Sequence, residues 1–309
     1  MIISLWGEEG KGKSSVGLTF PKPLFHQELD IGGFDRAAWF IEQEYKKNTG
    51  MELRIKRCEA KEDIDEIDWN EWDIVTKPYI TPVQLEKLQG LQGISIKLPK
   101  QVKGVKEVWQ EIIVDTVTVG QVPAVKTIMP DSATQLWNIC HTGFLQEKQE
   151  MQIAQGLAKR ISAEVTINNP DFRERLQPVE FPNNRMREVI YTVKSFGKNY
   201  VMTHYPKDIY ANRVTDRGIE SYATGEVEPD GFKHTVTLDD IVLWCYTEVD
   251  KRREIIKGVE NPDYNKPVPH AKISLKCGLS GMGMKCVGLE LPSPSYDGLL
   301  ELQAMVRGD

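Results

Sequence analysis

Residues 7–14 read Gly-Glu-Glu-Gly-Lys-Gly-Lys-Ser. They match G-x-x-x-x-G-K-[ST] at every fixed position. The apolar run Ile2–Trp6 before it is too short for a helix and reads as a buried strand. Ser14–Leu18 then predicts a helix that Pro21 and Pro23 end early. A strand, a glycine-rich loop and a helix in that order bring several backbone N–H donors onto one concave surface, and glycine supplies the backbone angles this requires. Such a surface suits phosphate oxygens. The candidate cradle is Gly7, Glu8, Glu9, Gly10, Lys11, Gly12, Lys13, Ser14 and Ser15. Lys13 is placed to reach β- and γ-phosphates and the hydroxyl of Ser14 to ligate Mg²⁺.

The rest of the chain alternates strand and helix signals. Leu24–Asp30 predicts a second strand closed by Gly32-Gly33, and Asp35–Tyr45 a helix, with apolar residues at 37, 38, 40, 41 and 45. Thr81-Pro82 followed by Val83, Leu85 and Leu88 reads as a capped helix. Glu111–Thr118 predicts a strand that ends its apolar run on Asp115. Residues 147–161 and 184–196 predict helices, and Asn199–His204 and Ile241–Tyr246 predict strands. The last fifty residues read as short strands punctuated by glycine. Together these predict an α/β fold: a mainly parallel central sheet with helices on both faces and a C-terminal β extension. The expected division is a core over 1–250, with insertions at about 61–107 and 121–180, and the extension over 251–309.

Hydrolysis of a bound nucleotide needs two further kinds of group. An acid at the end of a neighbouring strand holds the water shell of Mg²⁺, and Asp115 is the candidate. A second group orients the attacking water. Glu28 and Asp30 lie two apart on the second strand and project to one face, with no choice between them from sequence. Thr203 and His204, at the end of a third strand, are candidates for sensing the γ-phosphate.

Composition narrows the setting. The chain has 309 residues with 39 Lys and Arg against 45 Asp and Glu, a formal net charge of −6. That excludes a general polyanion binder, so any nucleic-acid surface is expected to be local. Charge is segregated: residues 59–73 carry eight acids against Lys61 alone, and residues 185–217 carry seven bases against three acids. With five cysteines, no CxxC pair, no 18-residue apolar run and no secretory leader pattern, the expectation is a cytoplasmic protein with reduced thiols and no membrane span.

The runs ISLWGEEGKGKSS, KPLFHQELDIGGFDRA, EIIVDTVT and RMREVIYTVKSFGKNYVMTHYPKD, in this order, resemble the RecA-like P-loop ATPases of phages and prophages. Some members of that group act as single-strand annealing recombinases. The tail LELPSPSYDGLLEL is similar to their closing segment. The resemblance covers most of 1–60, 108–120 and 184–250. It implies ATP and Mg²⁺ as cofactors, a strand-end acid (Glu28 or Asp30) as the water-activating group, Asp115 as the metal acid and His204 as the sensor. It also implies a homo-oligomer, and single-stranded DNA bound through loops near 119–135 and 205–235. Lys207, Arg213 and Arg217 there are candidates either for DNA contact or for completing a neighbouring subunit's site, and Tyr205, Tyr210 and Tyr222 for stacking on bases. The alternatives are a nucleotide-dependent structural or assembly protein and, third, a small-molecule kinase.

Overall fold

The computed structural model describes residues 1–30, 32–81, 101–169, 172, 180–215, 218–233, 235–249, 255–256, 259–260, 265–279 and 282–308. Eight strands form one sheet in the order β12-β9-β1-β6-β5-β2-β4-β3. These are β1 (Ile2–Trp6), β2 (Leu24–Glu28), β3 (Ile55–Arg57), β4 (Ile74–Pro78), β5 (Thr127–Asp131), β6 (Asn199–His204), β9 (Ile241–Val249) and β12 (Pro267–Cys277). Every pairing is parallel except that of β12 with β9. Between β6 and β9 the chain makes a two-stranded antiparallel ribbon, β7 (Pro206–Thr215) with β8 (Gly218–Pro229). A shorter pair, β10 (Ile255–Ile256) and β11 (Val259–Glu260), precedes β12.

Alternation along β1 shows how the sheet is covered. Ile2 joins a core formed with α3 (Val105–Gln121), α4 (Ala133–Ala158) and, beyond the short α5 (Ala163–Asn168), α6 (Glu180–Ser195). Ile3 and Leu5 face the other way, into a core shared with α1 (Lys13–Gly17), α2 (Gly33–Thr49) and α7 (Tyr296–Arg307). Strands buried on both faces in a mostly parallel sheet are what the strand–helix alternation predicts.

Three expectations are corrected. Glu111–Thr118 is not a strand but the middle of α3. Read from Val105, the apolar positions 105, 108, 109, 112 and 113 recur at three- and four-residue steps, Val119 follows Ile112 two turns on, and Val105, Trp109, Ile112 and Val119 are buried. The β-branched run Ile112-Ile113-Val114 masks that period, and Val114 is in fact 61% exposed. The segment 121–180 is not an insertion, because it supplies β5, which lies between β2 and β6, and the long helix α4. In the last fifty residues β12 extends the central sheet antiparallel to β9, as the β reading of the tail expects, but the segment closes with a helix instead of further strands, α7, whose N-cap Ser295 accepts the Gly298 N–H at 3.1 Å. The capped helix expected from Thr81 lies outside the described residues beyond Thr81 itself.

Asp115 consequently sits on a helix in a buried polar cluster. Its Oδ2 accepts from Lys77 Nζ at 2.8 Å and from the Tyr79 hydroxyl at 2.5 Å. Lys77 also reaches Glu111 at 2.9 Å. Burial pushes the Lys77 ammonium down, but the two carboxylates outweigh it and hold it above its ordinary value. This cluster fixes α3 against β4. Replacing Lys77 with Met leaves a buried carboxylate unpaired, and the expected loss is about 3–5 kcal/mol of unfolding free energy. Urea denaturation measures it; a loss within about 0.5 kcal/mol would show that the cluster does not hold the helix.

Candidate nucleotide-phosphate site

Parallel pairing brings four strand ends to one edge. Trp6 is level with His204, and Glu28 with Asp131. The loop after β1 therefore opens beside the ends of β2, β5 and β6, where ligands settle in open α/β sheets. A cavity of about 620 Å³ occupies this edge, lined among others by Lys13, Ser14, Glu28, Asp30, Asp131 and Tyr205. That is within the range of small-molecule sites.

The loop takes the form its glycines permit. Gly7 has φ of 149°, and a Cβ there would run into the Cys245 carbonyl of β9. Gly12 caps α1 with φ of 85°, a left-handed conformation. Lys13 Nζ donates to the carbonyls of Gly7 and Glu8, both at 2.8 Å, and lies 4.9 Å from the centroid of the Tyr205 ring. Burial lowers its pKa, opposed by Cys245, Asp131 and Asp30. Lys11 is turned outward to Thr247 Oγ1 at 2.9 Å. Glu9 is exposed and pairs with Arg36 of α2 at 3.7 Å.

The strand-end acid at this cavity is Asp131, which the sequence reading missed. Asp115 does not line the cavity. Asp131 is largely buried, with 8% of its surface exposed at the cavity, and burial alone would raise its pKa. Hydrogen bonds from His26, Ser14 and Thr203 reverse that and keep it below the ordinary carboxylate range. His26 Nε2 lies 3.4 Å from Asp131 Oδ2; a carboxylate only accepts, so this nitrogen donates. His26 Nδ1 is 2.8 Å from Thr76 Oγ1, and its ring packs on Phe34 at 4.7 Å. Thr203 Oγ1 donates to Asp131 Oδ1 through a short hydrogen bond. The hydroxyl and carboxylate oxygens of Ser14 and Asp131 are a hard donor set of the kind Mg²⁺ prefers.

Glu28 and Asp30 both line the cavity but differ in surroundings. Burial raises both. Glu28 accepts the Gly32 N–H at 3.2 Å at the start of α2. Asp30 accepts the Tyr205 hydroxyl at 2.9 Å and feels the charges of Asp131 and Lys13. Asp30, not Glu28, is the one whose charge is felt by Lys13.

His204 is not aimed into the cavity. Its Nε2 is 3.0 Å from Ser4 Oγ and its Nδ1 is 2.8 Å from the Asp230 carbonyl. The residue after it, Tyr205, has that position instead. The bases of the expected basic segment are mostly paired with acids: Arg185 with Glu147 at 2.7 Å, Lys194 with Asp240 at 3.3 Å, Lys207 with Glu228 at 3.4 Å and Arg213 with Glu220 at 3.2 Å. Lys207 and Arg213 stand on the β7–β8 ribbon, outside the cavity; Arg217 lies outside the described residues.

No protein-family model matches the sequence, and no curated protein matches it. Among solved structures, a KaiC-like protein from the hyperthermophilic archaeon Pyrococcus horikoshii OT3 is similar over 88% of this chain and 78% of that one, at 10% identity and a TM-score of 0.36.

Burial lowers His204 from about 6.5 to about 4. Between those values the unfolded chain binds a proton that the folded one refuses, so this contribution to stability is complete above pH 6.5 and is lost as pH falls toward 4. The expected size is about 3 kcal/mol. His204→Asn should therefore flatten the fall in unfolding free energy measured between pH 7 and pH 4.5. An unchanged slope would show that His204 titrates normally in the fold.

Proposed function

We propose that the protein is a RecA-like P-loop ATPase that binds ATP with Mg²⁺ and hydrolyses it. The observation that carries this reading is the convergence of Lys13, Ser14, Asp131 and Asp30 on one cavity at the carboxyl edge of the sheet. Backbone N–H groups of residues 10–14 and the Lys13 ammonium would bind the phosphates, once Lys13 leaves the Gly7 and Glu8 carbonyls. Ser14 and Asp131 would hold Mg²⁺, which when bound supplies positive charge against the phosphate oxygens. His26 and Thr203 keep Asp131 ionised and aimed.

Asp30 is assigned the water-activating role because its charge is felt by Lys13, whereas Glu28 anchors the start of α2. As the water oxygen bonds to the γ-phosphorus, its proton passes to Asp30 and the β–γ bridging P–O bond breaks, leaving ADP and inorganic phosphate. The cavity edge formed by Pro267, Pro269 and Thr247 on one side and Arg36 and Phe40 on the other leaves room for the nucleoside.

Action on single-stranded DNA in phage recombination or replication, within a cytoplasmic homo-oligomer, is the role that the family resemblance favours. The ribbon that leaves β6 beside the cavity is the element placed to meet a strand, and it exposes Tyr210 and Tyr222. One observation favours the second reading, a nucleotide-dependent assembly protein. On this ribbon Lys207 pairs with Glu228 and Arg213 with Glu220, and Asp208 and Glu226 add further negative charge, so its described charge suits a protein surface better than a phosphate backbone. Among the described residues no helix is long and apolar enough to cross a membrane.

ATP turnover with and without single-stranded DNA separates the two readings: stimulation supports action on DNA, and a slow, DNA-independent rate supports assembly. Lys13→Ala should reduce turnover about 100-fold or more, as expected for loss of a contact worth about 3 kcal/mol in the transition state. Wild-type turnover in that variant would remove the ATPase reading altogether.

A further inference from the structure

Tyr205 is the first residue after β6, where the chain turns from the sheet into the ribbon. Its backbone is held on both sides. The N–H donates to Thr134 Oγ1 at 3.1 Å, near the start of the helix that follows Asp131. The carbonyl accepts the Asp230 N–H at 2.7 Å, at the far end of the ribbon. These contacts fix where the ring stands independently of what the side chain touches. The ring is half-buried, and it lies between two cavity groups that approach from different elements, Lys13 from α1 and Asp30 from the loop after β2. Its face is 4.9 Å from Lys13 Nζ and its hydroxyl donates to Asp30 Oδ2 at 2.9 Å.

A phenylalanine would fill the same space and keep the cation over its face. The hydroxyl adds one thing, a donor that pins one oxygen of Asp30. Asp30 itself sits two residues past the end of β2 and shortly before Gly32 and Gly33; its N–H reaches the Asp131 carbonyl at 3.3 Å, but strand pairing does not hold its side chain. Tyr205 and Ser132 both hydrogen-bond its carboxylate, so without the Tyr205 hydroxyl its position is left to Ser132.

We propose that Tyr205 is a positioning residue that fixes the Asp30 carboxylate relative to Lys13, and so sets the geometry in which water meets the γ-phosphate. This rests on the assignment of Asp30 under the ATPase reading. Misplacement of a reacting group by about 1 Å costs on the order of 100-fold in rate, and loss of the pinning donor permits a displacement of that order.

The test compares Tyr205→Phe, Asp30→Asn and the double variant, measuring steady-state ATP turnover. The equilibrium affinity for a fluorescent ATP analogue in the absence of Mg²⁺ is measured alongside. Tyr205→Phe is expected to lower kcat about 10- to 100-fold while KM and the metal-free affinity stay within about twofold of wild type. Combined with Asp30→Asn it should add nothing, because the residue it positions is already gone. Wild-type kcat in Tyr205→Phe, or a loss that multiplies with that of Asp30→Asn, would overturn the proposal while leaving the ATPase reading standing. A weakened analogue affinity that accounts for the whole loss would overturn it too, since Tyr205 would then serve binding. Turnover that survives Lys13→Ala would sink both.

Discussion

The site depends on keeping one carboxylate charged inside the protein. Asp131 is largely buried, and an isolated buried carboxylate would take up a proton. Donors on three other elements prevent it: Ser14 from α1, His26 from β2 and Thr203 from β6. The pairing of β5 with β2 places His26 and that with β6 places Thr203, while Ser14 comes from the helix that follows β1, the strand beyond β6. The loop and helix after β1 and the acid therefore belong to one cooperative unit, and a shift of β5 would break the hydrogen bonds and the charge together. His26 extends the unit one strand further, since its other nitrogen meets Thr76 on β4.

Parallel strands explain why so much chemistry collects at one edge. Their carboxyl ends all open on the same side, so the loops after β1, β2, β5 and β6 share a single space. On that side Lys13 and Tyr205 stand against Asp30 and Asp131, with two positively directed groups facing two acids. The buried Lys77–Asp115–Tyr79 cluster is a separate arrangement. It uses the same residue types to fix a helix against a strand, away from the cavity lining.

The strands β1, β2, β6 and β9 were legible from sequence, because each is a short apolar run that ends near a turn signal or a polar residue, and the glycine-rich loop after β1 was legible from its motif. The cradle and the acids Glu28 and Asp30 were legible for the same reason: they lie next to those strand ends. β5 was hidden. Thr127–Asp131 reads Thr-Ile-Met-Pro-Asp, with only two aliphatic positions and a proline, whereas Glu111–Thr118 looks far more strand-like. Two signals separate them. The helical period appears once the window is extended back to Val105. After Asp131, Ser132 with Gln135 three residues on has the form of a helix N-terminus, and Ser132 Oγ does accept the Gln135 N–H at 3.2 Å. The position of Tyr205 had no sequence signal at all, since it depends on which way the chain turns after β6.

The most direct measurement is the effect of Mg²⁺ on nucleotide affinity in wild type, Asp131→Asn and Asp115→Asn. If Asp131 is the metal acid, Mg²⁺ tightens ATP binding to wild type and to Asp115→Asn alike, and this gain disappears in Asp131→Asn even where the metal-free affinity is kept. A gain that survives in Asp131→Asn and vanishes in Asp115→Asn would contradict the account.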